Sequence, residues 1–389
     1  NKNNLDINGK GNILLQNQKD KIHYSVSLED KTYKFDTTLD IKENPLDINF
    51  LNYKKDKNNE AKISVKGHKK TNHQIKFDSI SFEEKNNKII IKNLILNKNF
   101  KIIDLKSASF DFRDEKNNLN KFKILNKDKK FYLKGQILNA DNLIEHLLNN
   151  NDDSSKLLNK NFKVFVDIDK ILLDEKYNLK NLEGHFSVED QEITNAKLVG
   201  FFSDNKRLTY TVKTTSNKKI TTLFSDEAET LVNRYKFIKG FKGGVLDFYS
   251  SRDNFKKESF SKLKIYDFKL KKLPALTKLL TLASLQGIVD TLSGEGIGFN
   301  EFEMTFRNKK NTIMIEEIYA IGPAISILMD GYIEKNKLVS LRGSLVPATT
   351  INKAISTIPI LGKILVGSKT GEGVFGVSFK IKGPPNKME

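Results

Sequence analysis

The chain has no cysteine and no tryptophan, only four methionines and seven prolines, and only six arginines among its 66 basic residues, which leaves 60 lysines. Without cysteine there is no disulfide framework, no thiol nucleophile and no thiolate zinc site, although the compartment is not fixed by that absence. The shortage of arginine weighs against nucleic acid as partner. A formal charge of +18 would suit phosphate contacts, but base readout and bidentate phosphate clamps rely on guanidinium groups. The lysines are also dispersed among asparagines, as in NKDKKFYLKG and RDNFKKESFSKLK, rather than gathered on one element. Such a charge reads as a solvated surface with a weak attraction to anionic lipid head groups.

Long apolar runs are missing too: none reaches the roughly 18 to 20 residues of a membrane-spanning helix. The chain opens NKNNLDING, with neither an initiator Met nor a charged-then-apolar leader, and is expected to be a piece of something longer. Catalytic arrangements are equally scarce. His23, His68, His73, His146 and His185 are scattered, and the GHKKTNH stretch holding His68 and His73 is expected to be a solvated loop without acidic neighbours. Gly294, Gly296 and Gly298 follow a helical stretch and precede a strand, the reverse of a dinucleotide fingerprint. GSKTGEG has the same inverted context, so it is not a P-loop. Asp152 and Asp153, or Glu316 and Glu317, are adjacent and so point to different faces, whereas acid–base pairs must share one substrate. The expectation is a protein with no enzymatic step, no catalytic residues, no cofactor and no metal.

What the sequence has in abundance is period-two alternation, which puts every second side chain on one face of a strand. It runs through Ile22, Tyr24, Val26 and Leu28; Ala108, Phe110 and Phe112; Phe162, Val164, Val166 and Ile168; Leu208, Tyr210 and Val212; Phe302, Met304 and Phe306; and Phe375, Val377, Phe379 and Ile381. Short turns such as EEKNN, LNKDKK and TSNKK separate the runs and predict a long antiparallel meander. Three helices are expected: over 140–150 with Asp141 as N-cap, over 224–235 entered through Ser225 or Asp226, and over 273–292 with Pro274 in its first turn. A soft division near residue 160 separates a repetitive segment, 1–160, from 161–389, where glycine punctuates the chain.

Strands of this kind must bury their apolar faces. Two architectures satisfy that: a sandwich or closed barrel, or a long, strongly curved sheet open as an apolar groove. Periodicity alone leaves both open, with sandwiches and barrels the commoner.

The C-terminal third carries a more specific pattern. Gly343, Val346-Pro347, Ile351-Asn352, Ile358-Pro359, Leu361-Gly362, Gly367, Gly371, Gly373 and Phe375 follow in an order and spacing that resembles the C-terminal region of the AsmA-like family of bacterial envelope proteins, in particular its YhdP-like branch. The likeness spans roughly 162–384. It departs from the family in lacking an N-terminal transmembrane anchor and the Asn-Pro tail beyond the final Gly-Pro. The resemblance implies a mainly β gutter with a few short amphipathic helices near its C-terminal end. It would lie in the periplasm, tethered to the inner membrane by a helix outside this chain, and conduct phospholipid between the two membranes without a chemical step.

On that reading the groove would be lined by Ile22, Tyr24, Val26, Phe110, Phe112, Val164, Val166, Ile168, Tyr210 and Val212. The stretch ISTIPILGKILVG would form two apolar helices hinged at Pro359. Its Ile355, Ile358, Ile360, Leu361, Ile364 and Leu365 would cap the groove or dip into a bilayer surface, or else pack on the sheet as core. The rival readings are a scaffold for outer-membrane biogenesis that carries no lipid, and a nucleic-acid binder, which the lysine chemistry disfavours.

Overall fold

The computed structural model describes residues 5–70, 74–143, 161–190, 192–202, 205–235, 238–271, 277, 280–281, 294–335, 337–347 and 377–384. The protein is mainly β. Twenty-one strands belong to one sheet that is not closed into a barrel, and a separate two-stranded hairpin stands apart from it. The chain forms two compact units, 1–203 and 204–389. The division expected near residue 160 falls inside the first of them, at a connection between two strands.

In the first unit the sheet strands are β1 (Leu5–Leu15), β2 (Gln18–Glu29), β3 (Thr32–Ile41), β6 (Ala61–Lys70), β7 (Ile75–Glu84), β8 (Asn87–Leu96), β9 (Ile102–Arg113), β10 (Leu119–Lys127), β11 (Lys130–Asn139), β12 (Phe162–Leu172), β13 (Asn178–Glu189) and β14 (Glu192–Phe201). Between β3 and β6 lies the hairpin of β4 (Leu46–Ile48) and β5 (Tyr53–Lys55), joined by a 3-10 turn over Asn49–Leu51. Tight turns make each neighbouring pair antiparallel, with one exception: β11 and β12 run parallel. The sequence expectation of a wholly antiparallel sheet is corrected here. A parallel return needs a crossover of a dozen or more residues, and the 140–161 connection supplies it. Its first residues, 141–143, are helical. The cap comes from Asn139, whose Oδ1 accepts the Asp141 N–H at 3.1 Å, and not from Asp141 itself.

The second unit continues the pattern with β15 (Arg207–Thr214), β16 (Lys218–Ser225), β17 (Phe241–Asp253), β18 (Glu258–Leu270), β19 (Ile297–Lys309), β20 (Thr312–Ile321), β21 (Ile325–Glu334), β22 (Leu338–Pro347) and β23 (Val377–Gly383). Helix α1 covers only Ala228–Arg234. It starts later than 224–235 suggests because Phe224 and Ser225 are held in β16, opposite Asp247 and Leu246. Of the third expected helix, Thr277, Leu280 and Thr281 are described and helical; its other residues, and the whole 355–365 stretch, lie outside the described residues.

Lysine abundance has a structural use on the polar side of the strands. Directly opposed residues pair Asp36 with Lys66 at 3.5 Å, Asp111 with Lys121 at 3.7 Å and Lys134 with Asp167 at 2.8 Å. These exposed cross-strand pairs are worth only a few tenths of a kcal/mol each, roughly. A denser version surrounds Glu303, which is buried between Lys262 at 2.6 Å and Lys264 at 2.7 Å and accepts the Tyr319 hydroxyl at 3.0 Å.

Burial alone would raise the Glu303 carboxyl, but the two ammonium groups and the phenol outweigh it and pull it down to about 2 from an ordinary 4.5. A depressed acid stabilises the fold above its unfolded value and loses that contribution as pH falls. The window therefore runs from about pH 4.5 down to about pH 2. Each tenfold change in proton affinity corresponds to about 1.4 kcal/mol, so the contribution reaches about 3 kcal/mol at most. Glu303→Gln is expected to flatten this acid dependence. Urea midpoints measured between pH 5 and pH 2.5 check it: parent and variant should converge toward the acid end, and parallel curves would contradict the assignment.

Candidate functional site

Antiparallel partners directly opposite one another share a sheet face, so register identifies the faces without further assumption. In the first unit one cross-strand row passes through every sheet strand. It begins Gly9, Tyr24, Thr37, Val65, Ile80 and Ile91, and continues Ala108, Ile124, Leu133, Val166, Gly184 and Leu198. Thr37 is its only polar member. A neighbouring row on the same face, Ile22, Leu39, Ile63, Phe82, Ile89, Phe110 and Phe122, is apolar throughout. One residue along, the opposite face reads Ser25, Asp36, Lys66, Ser79, Lys92 and Ser107.

Ile22, Tyr24, Val26, Phe110, Phe112, Val164, Val166 and Ile168 thus all stand on the apolar face of the first unit. They differ in access. Phe110, Phe112, Val164, Val166 and Ile168 are buried, with Phe110 stacked on Phe122 at a ring separation of 4.5 Å. Ile22 and Val26 are half-buried, and Tyr24 is 37% exposed, its ring lying over Gly9 of the edge strand β1. The face is therefore most open toward β1, where Leu5 and Ile7 are also exposed.

At one end of these strands the apolar face is covered by the β4–β5 hairpin. Tyr53, 1% exposed, meets Phe82 and Phe112 edge-on at 5.2 and 5.7 Å. Its hydroxyl donates to Glu84, whose carboxylate also accepts the Asn87 amide at 3.3 Å. Burial, then the Glu84 carboxylate, push the Tyr53 hydroxyl far above the ordinary phenol range, so it remains a donor.

Lys55, fully buried, fastens the hairpin by donating to the carbonyls of Asn44 at 2.7 Å, Asp56 at 3.2 Å and Lys42 at 3.3 Å. Burial holds its ammonium below the usual lysine value, against the pull of Asp20 and Glu84. Asp20 collects the backbone N–H groups of Lys42, Glu43 and Asn44 and the Asn44 amide at 2.7–3.1 Å. Burial works to raise the Asp20 carboxyl, but those four donors keep it below its ordinary value. The Asn142 amide, just after β11, donates to Asn49 of the same hairpin at 3.3 Å. Nothing in the alternation of the sequence marks this closure; the only visible signal is that LDINFLNYKK breaks the ten-residue strand rhythm.

In the second unit Tyr210 and Val212 stand on the apolar face opposite Leu223 and Thr221. Here the covering elements are helical. Ala228 and Val232 of α1, together with Leu280, pack on Phe241, Leu246, Ile265, Phe268, Ile297 and Phe299. Phe268 stacks between Phe241 and Phe299 at 5.0 and 5.3 Å. Val377, Phe379 and Ile381 continue the face opposite Leu345, Gly343 and Leu341.

Two sequence expectations need correction. His68 is not in a loop but in β6, and the register bulge beside it brings Asp78 to 3.5 Å from its Nδ1. The polar face is also not polar throughout. Leu125, Tyr132 and Phe165 oppose one another on it, with Tyr132 stacked on Phe165 at 5.1 Å and the Lys163 ammonium 4.9 Å from the Phe165 ring centre. Among the described residues no group of three or more acids and histidines is placed to hold a metal, and no helix is long and apolar enough to cross a membrane. Comparison with protein-family models, with curated proteins and with solved structures finds no match.

Proposed function

We propose that this chain is a segment of a bacterial envelope protein of the AsmA-like kind, and that its apolar sheet face forms a curved groove along which phospholipid acyl chains pass between membranes. The observation that carries the reading is the cross-strand row from Gly9 to Leu198, a single file of twelve opposed positions of which only Thr37 is polar. A face of that length in an unclosed sheet offers apolar surface strand after strand, and its half-buried positions near β1 leave part of it within reach of a ligand. At about 0.8 kcal/mol per methylene, two acyl chains carried bare through water would cost tens of kcal/mol, so a continuous lining decides whether transfer is feasible. No side chain needs to react. The lysine-rich opposite face suits an aqueous surround, which agrees with a periplasmic setting for a protein tethered to the inner membrane. The resemblance of the C-terminal third supports the same conclusion independently of the lining.

Photocrosslinking along β2 tests the reading. Benzophenone side chains at positions 22, 24 and 26 should capture phospholipid in cells, whereas those at 21, 23 and 25 should not. Capture at neither set would favour a scaffold that carries no lipid.

A further inference from the structure

The apolar face of the second unit changes character along its strands, and the change is ordered. At one level Tyr210, Leu223, Phe248, Leu263 and Met304 oppose one another. One level further toward the Lys218 end the row becomes Val212, Thr221, Ser250, Ser261 and Phe306, with the Ser261 hydroxyl donating to Ser250 at 2.9 Å. At the next level it becomes Thr214, Lys219, Arg252, Ser259 and Asn308. Each step is about 7 Å along the strands. Hydrocarbon thus gives way to hydroxyls and then to cations, all on one face.

Three features of the last row ask for an anion. Lys219 and Arg252 are direct cross-strand partners, and like charges so placed repel. They are the only strand-paired cations that register puts on this face among the described residues of the unit. Beside them the buried Thr214 hydroxyl has no hydrogen-bond partner among the described residues, a condition that buried polar groups rarely tolerate. A phosphate oxygen would sit between the two cations and accept from Thr214, and an arginine next to a lysine supplies both forked and point-charge donors.

We propose that the Thr214–Lys219–Arg252–Ser259 row seats the phosphodiester of a phospholipid head group, with the Thr221–Ser250–Ser261 row against its ester-linked glycerol and the rows beyond against its acyl chains. This rests on the lipid reading above and adds to it a fixed orientation: head toward the β16–β17 turn, tails toward Phe248 and Leu263.

The test compares three radiolabelled probes retained by the chain on gel filtration: dioleoyl phosphatidylglycerol, dioleoylglycerol with the same tails and no phosphate, and inorganic phosphate. The parent should hold the phospholipid roughly tenfold better than dioleoylglycerol, a difference of about 1.4 kcal/mol, and should not hold inorganic phosphate. Lys219→Gln/Arg252→Gln should reduce that preference to about twofold while holding dioleoylglycerol as the parent does. Lys213→Gln, an exposed change on the opposite face, should leave it intact. Equal retention of both lipids by the parent, or a preference that survives the double substitution, overturns the head-group seat and leaves the acyl lining standing. Tight retention of inorganic phosphate alone would make the row a free-anion site and overturn it as well. A parent that retains neither lipid sinks the groove itself.

Discussion

Tyr53→Ala is expected to destabilise the first unit by about 3–5 kcal/mol, the range for removing a buried aromatic side chain. The ring fills the space between Phe82 and Phe112, so its loss leaves a cavity that sheet-borne side chains cannot collapse to fill. Its hydroxyl is also a donor to buried Glu84, which would keep only the Asn87 amide. Tyr53→Phe separates the two contributions: it retains the ring and should cost about 1–3 kcal/mol through the under-satisfied carboxylate. Urea unfolding followed by far-ultraviolet circular dichroism checks both. A Tyr53→Ala midpoint within error of the parent would show that the hairpin merely rests on the sheet end and does not close it.

Val166→Asp is expected to prevent folding of the first unit, while Ile22→Asp is expected to leave it folded and empty it of lipid. Both side chains are on the apolar face, in neighbouring cross-strand rows, yet their surroundings differ. Val166 is 6% exposed between Leu133 and Gly184. A carboxylate there has no donor and would cost several kcal/mol even if it took up a proton. Phe110→Asp would fail in the same way, because Phe110 is buried against Phe122. Ile22 is half-buried, near the open β1 side. An aspartate can hydrate there at a cost of about 1 kcal/mol while placing a charge in the path of acyl chains. Circular dichroism reads the first effect and native mass spectrometry the second. A folded Ile22→Asp chain that retains as much phospholipid as the parent would contradict the position of the path.

Much of the sheet is legible in the sequence because each strand has its own short-range signal. Tyr24 and Val26, or Val164 and Val166, are separated by single residues that face the other way, and a period of two needs no knowledge of partners. The pairing that gathers Tyr24, Ala108, Val166 and Leu198 into one file follows from short turns between neighbours. It breaks only at β11–β12, where the chain is long enough to return in parallel.

The closing hairpin is not legible, because its worth lies in contacts made far along the chain: Tyr53 with Phe112, Lys55 with the Asn44 carbonyl, Asn142 with Asn49. The His68–Asp78 contact depends on a bulge between Lys66 and Gly67 that shifts register by one residue, and alternation carries no mark of it. The hydroxyl and cation rows of the second unit were hidden for a related reason. Thr221, Ser250 and Lys219 read as interruptions of weak strands until cross-strand pairing shows them aligned.

Native mass spectrometry of the purified chain, ejected gently and then at rising collision energy, is the most direct test of the acyl-lined face. Ions carrying one or more phospholipid masses, shed only when the protein is activated, are the expected result. A chain that flies at its bare mass from lipid-rich extracts, with its fold intact by circular dichroism, would contradict it.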